Sequence, residues 1–341
     1  KTHHDNTATS QSPTKKKNKT ATNMLTLLST LLLNQNSEEA GHGLLAKLVE
    51  DPTIVALVAV LVVVTVWSLR RSSGGGSSSS AASSSSSTNV FGAIPLSSAL
   101  STREYRPFQL RERVEVNHNV RRYTFALPKE NAHDMLGLPI GKHLSFRAQT
   151  KYDEKPVIRS YTPISPHDAV GEFTLLVKVY EQGRMSRHFD DLAVGDSVEV
   201  LGPKGRFEYK PNMFTALNLI AGGTGITPMF QILQYICNNP DDETNVSLIY
   251  ANVTEEDILL REELDTLQAK HDNVRVYYTL DKPPADWRYG KGFISTDMIS
   301  SKMEAPGKGT FFTACGPPPM MKAMERNFEA LGVDKESYFL Y

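Results

Sequence analysis

Four short segments carry residue types that bind phosphates or position a redox group. RSYT (159–162) sets a guanidinium, able to grip a phosphate through two N–H groups, two residues from an aromatic ring and three from a hydroxyl. On a strand, Arg159 and Tyr161 share one face. GRMS (183–186) opens a helix predicted over 184–192, whose first amides could take a second phosphate. AGGTGITPM (221–229) follows an apolar strand and opens another helix, with Pro228 suited to its first turn. Gly222, Gly223 and Gly225 would let that backbone approach a pyrophosphate. The full G-x-G-x-x-G fingerprint is absent, and Ala251-Asn252 stand where an acidic ribose ligand would close the next strand. ACGPPPMM (314–321) makes a rigid turn after an apolar strand, at the sheet edge where ligands sit. Cys315 would need a general base to act as a nucleophile, and no neighbouring His supplies one. Any one segment could be a packing turn; in this combination they imply two dinucleotides meeting at a domain junction.

The elements around these segments fall into two grammars. Between 107 and 211, six alternating runs (FQLRERVEV, RRYTFALP, KHLSFRAQ, VIRSYTPI, EFTLLVKVY, DSVEVLGP) predict an antiparallel β-barrel, interrupted by the one helix. From 215, four strand-then-helix repeats predict a parallel, doubly wound α/β sheet whose apolar strands are covered on both faces. The expected domains are therefore a barrel over 104–212 and an α/β domain over 213–341. Lys and Arg at 37 against Asp and Glu at 38 give no global attraction to nucleic acid. Two cysteines, Cys237 and Cys315, exclude a disulfide framework and a structural zinc site.

Upstream, 1–52 reads as a disordered or targeting tail, its apolar run 24–33 being too short to span a bilayer. TIVALVAVLVVVTVWSL (53–69) has seventeen uncharged residues, about 26 Å as a helix, with Trp67 at its end and Arg70-Arg71 beyond. It predicts a single transmembrane helix, and the charge bias puts the following chain in the cytosol. A Ser/Gly-rich linker (70–103) would tether the barrel, with 72–88 behaving as flexible coil. A single anchor of this kind suits the endoplasmic reticulum or the mitochondrial outer membrane. Asn252-Val253-Thr254 is a sequon that should carry sugar only if the domain were luminal.

RSYTPIS, GRMS, AGGTGITPM and CGPPPM, with EVNHNVRRYTFALP, GPKGRFEY, YANVTEEDILL and YYTLDKPP, resemble the flavin reductases of the ferredoxin reductase superfamily. Within it the chain looks most similar to the NADH–cytochrome b5 reductases, plant and algal members especially, over 105–341. That resemblance implies FAD bound by Arg159, Ser160, Tyr161, Thr162, Leu176, Lys178, Tyr180, Gly183, Arg184, Met185 and Ser186. Tyr161 would lie against the isoalloxazine, Thr162 near its hydride-accepting nitrogen, and His118 would support Thr162 through a hydrogen-bond relay. It implies NADH bound by Gly222, Gly223, Thr224, Thr227, Cys315, Gly316 and Pro317, with Cys315 positioning the nicotinamide and Asp281 repelling the extra phosphate of NADPH. Electrons would pass singly to cytochrome b5, a small acidic haem protein docking on Arg184, Lys204 and Arg206, and the enzyme would be a monomer. Ser160 stands where animal members have proline, Glu181 where an adenine-contacting aromatic is common, and Tyr341 where Phe is usual; a flavin-covering role for Tyr341 is one option and simple packing the other. The rival enzyme is the reductase portion of a nitrate reductase, which would need haem and molybdenum domains; the rival outside catalysis is a tethered flavin- and nucleotide-binding module.

Overall fold

The computed structural model describes residues 99–341 apart from Tyr152. The run 24–33, the expected anchor 53–69 and the coil 72–88 lie outside the described residues. Among the described residues no helix is long and apolar enough to cross a membrane.

The alternating runs form β1 (Arg106–Asn117), β2 (Val120–Ala126), β3 (His143–Ala148), β4 (Val157–Tyr161), β5 (Glu172–Lys178) and β6 (Ser197–Lys204). They pair antiparallel in the order β4-β3-β6-β1-β2-β5. Just past β4, the Ile164 N–H donates to the Thr174 carbonyl of β5 at 2.8 Å, which brings the two edges together into a barrel. Alternation buries one face of each strand, so Phe108, Phe125, Phe146 and Phe173 meet at the centre with Phe189 of α1 (Arg184–Asp191). α1 stops one residue short of the expected bound because Leu192 turns to extended backbone. Ala99 and Leu100, expected in the linker, are buried in this core, and the Gly202 N–H bonds the Ser101 carbonyl at 3.0 Å. The barrel therefore begins by residue 99.

The second half forms β7 (Ala216–Gly222), α2 (Ile226–Asn238), β8 (Asn245–Asn252), α3 (Arg261–Lys270), β9 (Val274–Leu280), β10 (Gly290–Lys291), α4 (Thr296–Lys302), β11 (Thr310–Cys315), α5 (Pro318–Ala330) and β12 (Tyr338–Leu340). All pair parallel, in the order β10-β9-β8-β7-β11-β12. The four expected strand–helix repeats are present, and two short edge strands, β10 and β12, are added. The second helix was expected from Glu255; instead Glu255–Asp257 is an isolated 3-10 turn, and α3 starts after Leu260, which takes a left-handed conformation (φ 57°). Strand order reverses between β7 and β11, so the crevice at their carboxyl ends, Gly222 and Cys315, is where such a sheet takes a ligand.

The two halves are packed together by Phe207, whose ring stacks on Phe311 and Phe339 at 5.6 and 5.5 Å. Beside it the second half grips one barrel residue from both sides: Gly141 donates its N–H to Gln231 Oε1 (2.9 Å) and its carbonyl accepts from the Tyr341 hydroxyl (3.1 Å). Gly141 sits at φ 88°, and a Cβ there would be 2.6 Å from Phe207.

Candidate active site at the domain junction

The two glycine turns of the sheet interlock. A Cβ on Gly225 would lie 2.5 Å from the carbonyl carbon of Cys315 and 2.9 Å from the Gly316 nitrogen; one on Gly222 would lie 3.1 Å from Pro317. These glycines allow backbone to approach backbone. Gly223 differs: at φ 53° it has nothing within 4 Å of a Cβ, so its peptide faces open space. Tyr250 holds that peptide from beneath, donating its hydroxyl to the Gly223 carbonyl at 3.0 Å. Thr227 donates to the Thr224 carbonyl at 3.3 Å, tying the turn to the start of α2, so both threonines shape the turn.

The open space is a cavity of about 490 Å³ lined by Gly222, Gly223, Asn252, Asp281, Phe293, Pro317 and Met320, together with Lys178 and Tyr180 of the barrel. Asn252 is 9% exposed, and its amide makes no well-formed hydrogen bond within the protein, only a weak interaction with the Tyr250 hydroxyl. A buried, unpaired amide costs free energy unless something in the cavity satisfies it. Open backbone at Gly223, orphaned donors and acceptors at Asn252 and one cation fit a polar, phosphate-bearing dinucleotide. Lys178 and Tyr180, expected at the flavin, line this cavity. Burial pushes the Cys315 thiol up to about 12, so at neutral pH it is a protonated thiol suited to contact and unsuited to attack.

On the barrel, Tyr161 stands edge-on to Phe146 and Phe189, with centroids at 5.4 and 5.2 Å. Thr162 is buried at 6% exposure, and Leu176 at 3%. Arg159 and Ser160 are exposed on β4; the Arg159 guanidinium donates to the Ile158 carbonyl and acts on the Asp153 carboxylate. At the start of α1 the Ser186 hydroxyl accepts from the Tyr180 N–H (3.2 Å) and donates to the Gly183 carbonyl (3.2 Å). The first turn-closing bond is Arg187 N–H to Gly183, so the amides of Arg184, Met185 and Ser186 precede any helical partner and are free for an anion. Met185 itself is buried, and the Arg184 guanidinium is paired with Asp153 rather than free for a phosphate. A fork, an aromatic wall and helix-start amides on one barrel edge fit FAD. Of the other docking cations, Lys204 reaches the Thr102 carbonyl (3.4 Å) and Arg206 is exposed.

Among the described residues no hydrogen bond joins His118 to Thr162, and His118 occupies the exposed β1–β2 turn, beyond the Val120–Lys178 pair. His143 stands one residue beyond the Leu144–Tyr161 pair, as Thr162 does on the facing strand, so register sets the two opposite each other. Burial, then the charges of Lys142 and Lys204, hold the His143 imidazole below the ordinary value. The signal in the sequence was Gly141-Lys142-His143, whose meaning depends on strand register. Tyr341 spends its hydroxyl on Gly141 and its ring on Phe207 and Phe339.

Residues 107–209 match the oxidoreductase FAD-binding domain and residues 219–326 the oxidoreductase NAD-binding domain. The chain is 49% identical over 246 residues to NADH-cytochrome b5 reductase 1 of Dictyostelium discoideum, covering 72% of this chain and 85% of that protein. It is 46% identical over 243 residues to NADH–cytochrome b5 reductase 1 of Arabidopsis thaliana, covering 71% and 85%. The cytochrome b5 reductase domain of Ulva prolifera nitrate reductase superposes with a TM-score of 0.67 at 38% identity, over 71% of this chain and 99% of that one. Two matched domains, the crevice between them and these identities lead to one assignment: the chain belongs to the NADH–cytochrome b5 reductase family.

Proposed function

We propose that the chain is a membrane-anchored reductase that takes a hydride from NADH onto FAD and passes single electrons to cytochrome b5, with its catalytic part in the cytosol. The observation that carries the reading is the crevice itself, where Gly222, Gly223 and Pro317 of the interlocked turns line one cavity with Lys178 and Tyr180 of the barrel. FAD supplies hydride acceptance and one-electron release. Arg159 and the first amides of α1 hold its phosphates, and Tyr161 backs its ring. Thr162, buried beside His143, presents a hydroxyl toward the reacting edge. Cys315 and Gly316 position the nicotinamide, and Asn252 satisfies its amide on the dinucleotide. Asp281 lines the cavity and disfavours an added phosphate.

The anchor rests on the uncharged run 53–69 and the basic pair after it. Holding enzyme and acceptor in one membrane raises their effective concentration, and the Ser/Gly coil lets a monomeric catalytic part turn toward the acceptor. The test is spectral. Purified full-length protein should show a flavin band that bleaches anaerobically with NADH far faster than with NADPH and recovers as added cytochrome b5 is reduced; a colourless or NADH-inert protein removes the reading. Shortening 72–88 should slow reduction of membrane-bound cytochrome b5 and leave ferricyanide turnover intact, whereas equal loss in both assays sinks the tether.

A further inference from the structure

Among the described residues that line the dinucleotide cavity, Lys178 is the single cation, set against Asp257 and Asp281. Lys178 is not free. Its ammonium donates to Asp257 Oδ1 at 2.8 Å, bridging β5 of the barrel to the 3-10 turn after β8. Both side chains are mostly buried, at 22% and 18% exposure. Asp257 cannot swing away, because its other oxygen accepts from the Thr254 N–H (3.2 Å) and hydroxyl (3.1 Å). A fixed carboxylate therefore sits against the one cation a pyrophosphate would seek.

We propose that Asp257 is an affinity-setting residue that competes with the dinucleotide phosphates for Lys178 and keeps NADH and NAD+ from binding too tightly to exchange. The proposal rests on the assignment of this cavity to NADH. The neighbouring charges do not cancel the effect: Asp281 adds a second negative charge to the cavity wall, and Glu255 is paired with Arg261. With Lys178 shared, specificity falls to backbone amides, Asn252 and the nucleoside ends, while the phosphates bind weakly.

The experiment measures binding of ADP and of adenosine to the flavin-loaded full-length enzyme, by displacement of NAD+. Asp257→Asn keeps the Thr254 contacts and removes the charge; ADP should bind at least tenfold more tightly, since a unit charge as far as about 12 Å away at an effective dielectric of about 20 is already worth a factor of ten. Adenosine should be unchanged, Asp257→Glu should retain wild-type ADP affinity, and Glu256→Gln, exposed and outside the cavity, should do nothing. ADP binding that is unchanged or weaker in Asp257→Asn overturns the proposal, as does equal tightening of adenosine. A second arm does not depend on that variant folding alone: Lys178→Gln should weaken ADP, and adding Asp257→Asn to it should gain far less than Asp257→Asn gains in the wild-type background, because no ammonium is left to release. An equal gain in both backgrounds refutes the competition. Wild-type enzyme that binds neither ADP nor NADH fails the cavity assignment itself.

Discussion

Gly225→Ala tests whether the interlocked turns set the reaction geometry. A Cβ at residue 225 would stand 2.5 Å from the Cys315 carbonyl carbon, against 3.4 Å for ordinary contact, and closer still to the carbonyl oxygen, so the 315–317 turn must withdraw by at least about 0.9 Å. Backbone dihedrals are not the obstacle, since Gly225 has φ −63°. Overpacking of this kind costs about 1–3 kcal/mol, which an intact two-domain fold can absorb. The catalytic cost is larger, because a displacement of about 1 Å of a positioning group is worth roughly a hundredfold in rate. The enzyme should keep its flavin spectrum, which depends on the barrel, and lose roughly a hundredfold in the rate of flavin bleaching by NADH in an anaerobic stopped-flow experiment. Residue 223 supplies the contrast: Gly223→Ala meets no protein atom and pays about 1–2 kcal/mol for its left-handed backbone, yet puts a methyl group where the dinucleotide passes, so NADH affinity should fall more than the limiting rate. Wild-type bleaching kinetics in Gly225→Ala, at wild-type stability, would show that the Gly225–Cys315 contact sets nothing.

Three further outcomes follow from the same geometry. The His143 imidazole is held below its ordinary 6.5, so as pH falls through 6.5 the unfolded chain takes the proton first; this contribution to stability is complete above 6.5 and lost below it, and His143→Gln should flatten the denaturation midpoint against pH over that range. Burial raises both Cys237 and Cys315 to about 12, so iodoacetamide at pH 8 should label neither in native enzyme and both in urea; fast native labelling of Cys315 would contradict its protonated state. Tyr341→Phe removes the hydroxyl bond to Gly141 while keeping the ring contacts, and should cost about 1 kcal/mol in urea unfolding with little change in NADH affinity; a change in flavin absorbance would instead place the ring on the flavin.

The elements were legible where burial is uniform. Ala216–Gly222 and Thr310–Cys315 are apolar because helices cover both their faces, and such runs read as strands without context. Tyr338–Leu340 and Gly290–Lys291 were not, since three and two residues carry no period and become strands only because an edge is open beside them. The α3 boundary slipped because Glu255, Glu256 and Asp257 favour a helix start, while the left-handed Leu260 that separates them from α3 answers to packing. At the site, the glycine turns could be found from spacing alone. The place of His143 could not, because only the pairing of Leu144 with Tyr161 sets it opposite Thr162. The pairing of Lys178 with Asp257 was equally out of reach, because it joins positions 79 residues apart.

Asn252 ends β8 with its amide sealed at the dinucleotide cavity, and it is also the first residue of the sequon Asn252-Val253-Thr254. Sugar transfer acts on extended chain, before a domain closes. A glycan placed there would project into the space that Gly222, Pro317 and Met320 line, which is the space the dinucleotide needs. The sequon is therefore no passive marker of which side of a membrane the domain lies on: a molecule glycosylated at Asn252 would carry its sugar in the dinucleotide site and could not bind NADH.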